Sequence, residues 1–179
     1  MQKKYFFDMD GTLAEWRGAA SYEDLFKEGY FSTLNPYGNV LQAAKLLTRK
    51  TSEVYVLSVY LPESRYALNE KDEWVSQYLP EIDEAHRLFV PQGVSKASFV
   101  KEKVGEMSRD FILLDDYTVN LEQWHNDGGT AIKLRNGVNG NKGTWTGACI
   151  TRYAQPEEIT RFLLDVHKKG ICENWWSTT

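Results

Sequence analysis

Cysteine is almost absent from this chain. Its 179 residues include two, Cys149 and Cys172, far apart and in no metal-ligand spacing. Two thiols do not build a disulfide framework, so a stapled secreted scaffold is excluded and a reducing, cytoplasmic setting is expected. Histidine is scarce too: His86, His125 and His167 fall on separate segments and form no zinc pattern. No apolar run approaches the ~20 residues of a membrane helix. The opening run Tyr5-Phe6-Phe7 is cut off by Asp8, which does not suit the apolar core of a signal peptide. Nor is there an excess of positive charge: Lys+Arg 21 against Asp+Glu 25 gives a net charge of -4. A long nucleic-acid partner is therefore not expected, because phosphate backbones are held by a basic face. A small phosphorylated ligand needs only one or two local cations. Internal repeats and low-complexity tracts are missing as well.

What remains is ordinary globular composition, 42% hydrophobic and 26% charged, on a length that suits one domain spanning 1–179. Apolar runs alternate with amphipathic segments. Tyr5–Phe7, Val54–Leu57, Leu88–Val90, Phe111–Leu114 and Ala131–Leu134 read as short strands. Between them, Val40, Ala43, Ala44 and Leu47 recur at helical spacing, and Pro62 suits the first turn of a helix with Leu68, Val75 and Leu79 inward. Ser95 reads as an N-cap ahead of Val100, Val104 and Met107. Leu121 and Trp124 mark a short helix. The last one starts near Pro156 and turns Ile159, Phe162, Leu163 and Val166 inward. Strand-helix alternation predicts an α/β fold, a three-layer, Rossmann-like, mostly parallel sheet. Two segments break the rhythm. Residues 13–36 hold Trp16, Tyr22, Phe26, Tyr30 and Phe31 among charges and are expected to form a small helical cap after the first strand. Residues 136–147 are rich in Gly and Asn and read as a loop or hairpin.

Ligands of such sheets sit outside the carboxyl ends of the strands, so the polar residues that follow strands carry the functional argument. After strand one comes Asp8-Met9-Asp10-Gly11-Thr12; after strand two, Ser58; at the helix start after strand three, Lys96; after strand four, Asp115-Asp116. Asp8 and Asp10, two apart on an extended chain, point to one side, and Gly11 permits a sharp turn. Carboxylates converging on one pocket repel each other and raise each other's pKa values unless a cation intervenes. An all-oxygen, carboxylate-rich site prefers Mg²⁺. A hydroxyl, a lysine and a helix N-terminus beside it suit a phosphoryl dianion. Taken alone, Asp8 and Asp10 are equally compatible with a turn and N-cap pair, and Lys101 or Lys103 could replace Lys96.

The ordered set Asp8-x-Asp10-Gly11-Thr12, Val54-Tyr55-Val56-Leu57-Ser58, Lys96 and Ile112-Leu113-Leu114-Asp115-Asp116 resembles the four motifs of the haloacid dehalogenase (HAD) superfamily of phosphohydrolases. Within it the chain is most similar to the 5′(3′)-deoxyribonucleotidases, through its small size, the short insertion after motif one and Tyr30-Phe31-x-x-Leu34-x-Pro36. The resemblance implies Asp8 as nucleophile and Asp10 as general acid and base. It implies Mg²⁺ on Asp8, Asp10 (through its backbone carbonyl) and Asp116, with Asp115 as ligand or just behind. Ser58 and Lys96 would hold the phosphoryl group, and Thr12, Trp16, Tyr30 and Phe31 would form the substrate rim. The implied substrate is a deoxyribonucleoside monophosphate; a sugar phosphate and a catalytically silent binding scaffold stand as alternatives. Two positions depart from the narrower pattern: Val59 stands where a second hydroxyl is common, and Asn120 where some members have a third acid.

Overall fold

Residues 2–17, 21–138 and 145–168 are described by a computed structural model of the chain. Among them, six strands form one parallel sheet: β1 (Lys4–Phe7), β2 (Val54–Tyr60), β3 (Arg87–Pro91), β4 (Phe111–Asp115), β5 (Thr130–Arg135) and β6 (Cys149–Thr151). Their spatial order is β3-β2-β1-β4-β5-β6. The connecting helices are α1 (Gly38–Thr48), α2 (Ala67–Tyr78), α3 (Lys96–Lys103), α4 (Thr118–Asn126) and α5 (Pro156–Asp165). The expected Rossmann-like, three-layer α/β sheet is therefore present.

The period-2 geometry of a strand explains how a parallel sheet buries both faces. One face carries Tyr5, Phe7, Val54, Val56, Ile112 and Leu114, and packs against the apolar sides of α1, α2 and α5. The other carries Phe6, Tyr55, Leu57, Phe111 and Leu113, and packs against Ala97 and Val100 of α3 and Leu121 and Trp124 of α4. Trp124 is fully buried there, and its indole N–H donates to the Phe111 carbonyl at 3.0 Å.

Three expectations need correction. Pro62 does not enter a helix; α2 begins at Ala67, whose N–H donates to Ser64 Oγ at 3.2 Å. Leu68 lies outside, because α2 turns Ala67, Glu70, Lys71, Trp74 and Val75 inward instead. The strand β6 was not foreseen, since three residues are too short to show a period. Of the loop expected at 136–147, residues 139–144 lie outside the described residues, as do Lys169 and Cys172.

The segment expected as a cap leaves and returns at one place. Glu15 N–H donates to Asn35 O at 2.7 Å, and Tyr37 N–H to Leu13 O at 2.8 Å, so its two ends run side by side. Between them, the described residues hold a 3₁₀ helix, Tyr22–Phe26, and turns. Trp74 of α2 donates to Leu34 O at 2.8 Å and ties this segment to the sheet layer.

The chain walks from β1 outward to β2 and β3, then crosses back over β2 and β1 to β4. The reversal falls between β1 and β4, where a parallel sheet opens a crevice at its carboxyl end.

If the Trp124 anchor holds α4 to the sheet as this packing requires, Trp124→Ala lowers unfolding stability by about 3–5 kcal/mol, measured by urea denaturation at constant m-value.

Candidate active site

The crevice is built from the first residues past β1 and the last of β4. Asp8 follows β1, and its N–H donates to Leu114 O at 3.0 Å, which locks the two strand ends together. Asp115 ends β4 and Asp116 follows it. One carboxylate oxygen from each of Asp8, Asp115 and Asp116 lies within 4.8 Å of the other two, and all three residues are buried.

Gly11 makes this convergence possible. It adopts φ +81°, a left-handed conformation open to glycine, and a Cβ here would overlap the Asp116 carboxylate. The turn it forms lets Leu13 and Ala14 donate back to Met9 O, at 2.9 and 2.8 Å.

Two buried lysines meet the carboxylates. Lys96, at the start of α3, donates to Asp8 Oδ1 and Asp115 Oδ2, each at 2.6 Å. Burial alone would lower its pKa, but Asp115 and Asp8 outweigh that and hold the ammonium well above its ordinary value. Asp8 is pushed well up by burial, and further by Asp115, Asp10 and Asp116, against the pull of Lys96. The cluster thus holds more negative charge than its own cations balance. The second lysine is Lys71 of α2, which pairs with Asp10 Oδ2 and donates to Ser58 Oγ at 3.0 Å.

Asp115 is heavily engaged. Besides Lys96, it accepts from Tyr117 N–H at 2.8 Å and from Asn120 Nδ2 at 3.0 Å. Asn120 thus replaces a charge with a donor that orients Asp115. Asp116 Oδ2 accepts from Asn136 Nδ2 at 2.8 Å, and the same amide reaches Gly11 O at 2.8 Å. Asn136 is itself held through its Oδ1 by Val138 N–H at 2.8 Å.

The oxygen-only donor set, buried and short of positive charge, fits a hard divalent cation; neither histidine nor cysteine belongs to the cluster. Beside it opens a cleft of about 520 Å³, with Asp8, Asp10 and Asp116 in its floor and Trp16, Val94 and Tyr117 among its walls. The Tyr22 hydroxyl donates to Gln92 Oε1 at 3.2 Å, joining the inserted segment to the turn after β3.

Of the residues expected from sequence, Asp8, Asp10, Ser58, Lys96, Asp115 and Asp116 stand together at this crevice. Asp10 points its side chain toward Lys71 and Ser58. The rim residues separate. Trp16 lines the cleft and Tyr30 is half-buried. Thr12 and Phe31 are not on a rim: the tight turn folds Thr12 under completely, and Phe31 is drawn into the core beside α2. Sequence reasoning missed Lys71 and Asn136. Asn136 follows β5 directly, so the strand-end rule reaches it. Lys71 lies three and four residues before the inward Trp74 and Val75; a lysine on the apolar side of a helix is the signal.

No protein-family model matches the chain, and no curated protein is similar to it in sequence. Solved structures are similar in fold. A D,D-heptose 1,7-bisphosphate phosphatase from B. bronchiseptica, complexed with magnesium and phosphate, superposes with a TM-score of 0.60 at 12% identity, covering 91% of this chain and 99% of that one. The corresponding enzyme from Burkholderia thailandensis gives 0.59 at 11% identity, covering 94% and 100%. A HAD-superfamily hydrolase from Ehrlichia chaffeensis gives 0.57 at 9% identity, covering 93% and 98%. The chain shares the fold of these three structures, one of which is a HAD-superfamily hydrolase.

Asn136 orients Asp116 without itself offering charge. Asn136→Ala is expected to weaken divalent-cation affinity by about 10–100-fold, read by isothermal titration with Mg²⁺ on a variant that keeps its circular dichroism spectrum.

Proposed function

We propose that the chain is a Mg²⁺-dependent phosphomonoester hydrolase that works through an aspartyl-phosphate on Asp8. One observation carries this reading: Asp8 and Asp116 share a buried crevice at the sheet's reversal point, with Lys96 against Asp8. Asp8 and Asp116, with the Asp10 backbone carbonyl, would hold the ion, and Asp115 would stand behind them, fixing Lys96. Mg²⁺, when bound, offsets the charge of the phosphoryl oxygens and of the carboxylates around them.

The chain's own residues supply the rest. An ionised Asp8 oxygen attacks phosphorus, and the bond from phosphorus to the leaving oxygen breaks with its electron pair on that oxygen. Asp10 gives that oxygen a proton as it departs. In the second half, Asp10 takes a proton from water as the water attacks the same phosphorus; inorganic phosphate leaves and Asp8 is restored. Lys96 and Ser58 hold the phosphoryl oxygens, and Lys96 balances charge that builds as they become more negative.

For the substrate we infer a deoxyribonucleoside monophosphate. The cleft suits a flat, uncharged leaving group: Trp16 and Tyr117 bring aromatic rings to its lining, and Gln92 and Gln123 bring amides. Among the described residues that line it there is no lysine or arginine, which a second phosphoryl group would require. The alternative is a sugar phosphate, favoured by the likeness in fold to phosphatases of heptose bisphosphates.

Phosphate release should require Mg²⁺, fall to background with chelator, and vanish in Asp8→Asn while the variant still unfolds cooperatively. Full turnover by Asp8→Asn rejects the nucleophile. Across deoxynucleoside monophosphates, ribonucleoside monophosphates, sugar monophosphates and sugar bisphosphates, kcat/KM should be highest for the first group; a flat profile removes the nucleotidase reading and leaves the phosphatase.

A further inference from the structure

Lys71 is only 1% exposed, midway along α2. A buried ammonium is costly unless it is paired and hydrogen-bonded, and a methionine would fill the same helical position without that cost. Three partners surround its ammonium: the Asp10 Oδ2 ion pair, Ser58 Oγ at 3.0 Å, and the ring of Phe31, whose centre lies 4.5 Å away. The last of these is itself fastened. Glu70, the preceding residue, is buried and accepts from the N–H groups of Gly29, Phe31 and Ser32 at 2.6, 2.9 and 3.4 Å. With the helix start held at Ser64 and Trp74 bonded to Leu34 O, the ammonium has little room to move.

Its partner has two oxygens in unlike positions. Oδ2 of Asp10 is taken by Lys71 and approached by the Ser58 hydroxyl at 3.4 Å. Oδ1 is buried, with no hydrogen-bond partner among the described residues. Since Asp10 lines the cleft, Oδ1 is the oxygen left for something that enters it.

We propose that Lys71 is a positioning residue for Asp10: by fastening Oδ2, it presents Oδ1 as the oxygen that passes a proton to the leaving group and takes one from water. The proposal rests on the phosphatase reading and adds a residue to it. The proton bookkeeping is that already given, one proton from Asp10 to the departing oxygen as its bond to phosphorus breaks, and one back from water. Lys71 touches neither substrate nor the reacting atoms in this role. It is separate from Lys96, which serves Asp8 and Asp115.

A misplaced acid matters in proportion to how badly the leaving oxygen needs a proton. A p-nitrophenolate leaves without one; an alkoxide does not. The test compares kcat/KM for p-nitrophenyl phosphate and for a deoxyribonucleoside 5′-monophosphate in wild type, Lys71→Met, Asp10→Asn and the double variant. The double variant removes both members of the buried pair and guards against a failure to fold caused by an unpaired carboxylate. Lys71→Met should lower the alkyl-phosphate value by about 100-fold and the aryl value by less than about 10-fold. In the Asp10→Asn background, adding Lys71→Met should leave the alkyl-to-aryl ratio unchanged. Equal losses on both substrates overturn the proposal and make Lys71 a phosphoryl-holding or purely structural group. Crystal structures of wild type and Lys71→Met give a readout free of turnover: the Asp10 carboxylate should lose its single orientation in the variant, and an unmoved Asp10 overturns the proposal. A wild type inactive on both esters would sink the phosphatase reading instead, while the Asp10 orientation would still decide the role of Lys71.

Discussion

Everything in this protein is arranged around too much negative charge in one dry place. Four carboxylates, Asp8, Asp10, Asp115 and Asp116, gather where β1 and β4 end, and two ammonium groups, Lys71 and Lys96, lie among them. With all four ionised, two negative charges would be left, which is what one divalent cation can neutralise. Buried ions of like sign cannot be held together by packing alone. They are held by a backbone bond between strand ends, by Gly11, whose missing side chain makes room for Asp116, and by the amides of Asn120 and Asn136.

The sheet's topology determines where this charge collects. A parallel strand order that reverses between β1 and β4 places two adjacent strand ends with no helix crossing between them. Strand-end residues therefore meet whatever lies between them in sequence, and Asp8 and Asp116 come together across more than half of the chain. The short apolar runs ending in Asp8, Ser58 and Asp115 carry both the fold and the site in the same few letters, and β-branched, doubly buried strands are easy to recognise.

What was not legible involved side chains whose partners lie on other elements. Lys71 looks like one of many helical lysines, although its place four residues before Val75, expected inward, puts it on the buried side; its partners Asp10 and Ser58 lie on other elements, and Leu68 of the same expected face lies outside. Thr12 and Phe31 were read as rim because aromatic and hydroxyl groups near a motif often are, and only the path of the turn shows that they are covered. Asn136 follows β5 directly and so is legible by the same strand-end position as the carboxylates. The brevity of β6 left no pattern to read.

The stretch between Glu15 and Asn35 begins and ends at neighbouring points on the body, joined by main-chain bonds at its root. Such a detour can grow, shrink or be exchanged for another without altering the register of any strand, since the root closes whatever hangs from it. Its Trp16 lines the cleft and its Tyr22 hydroxyl bonds Gln92, another lining residue, while the clustered carboxylates belong to the body. On the proposed reading, part of the cleft wall is thereby encoded apart from the carboxylates beneath it, so evolution can reshape that wall by rewriting a single excursion while inheriting the rest intact.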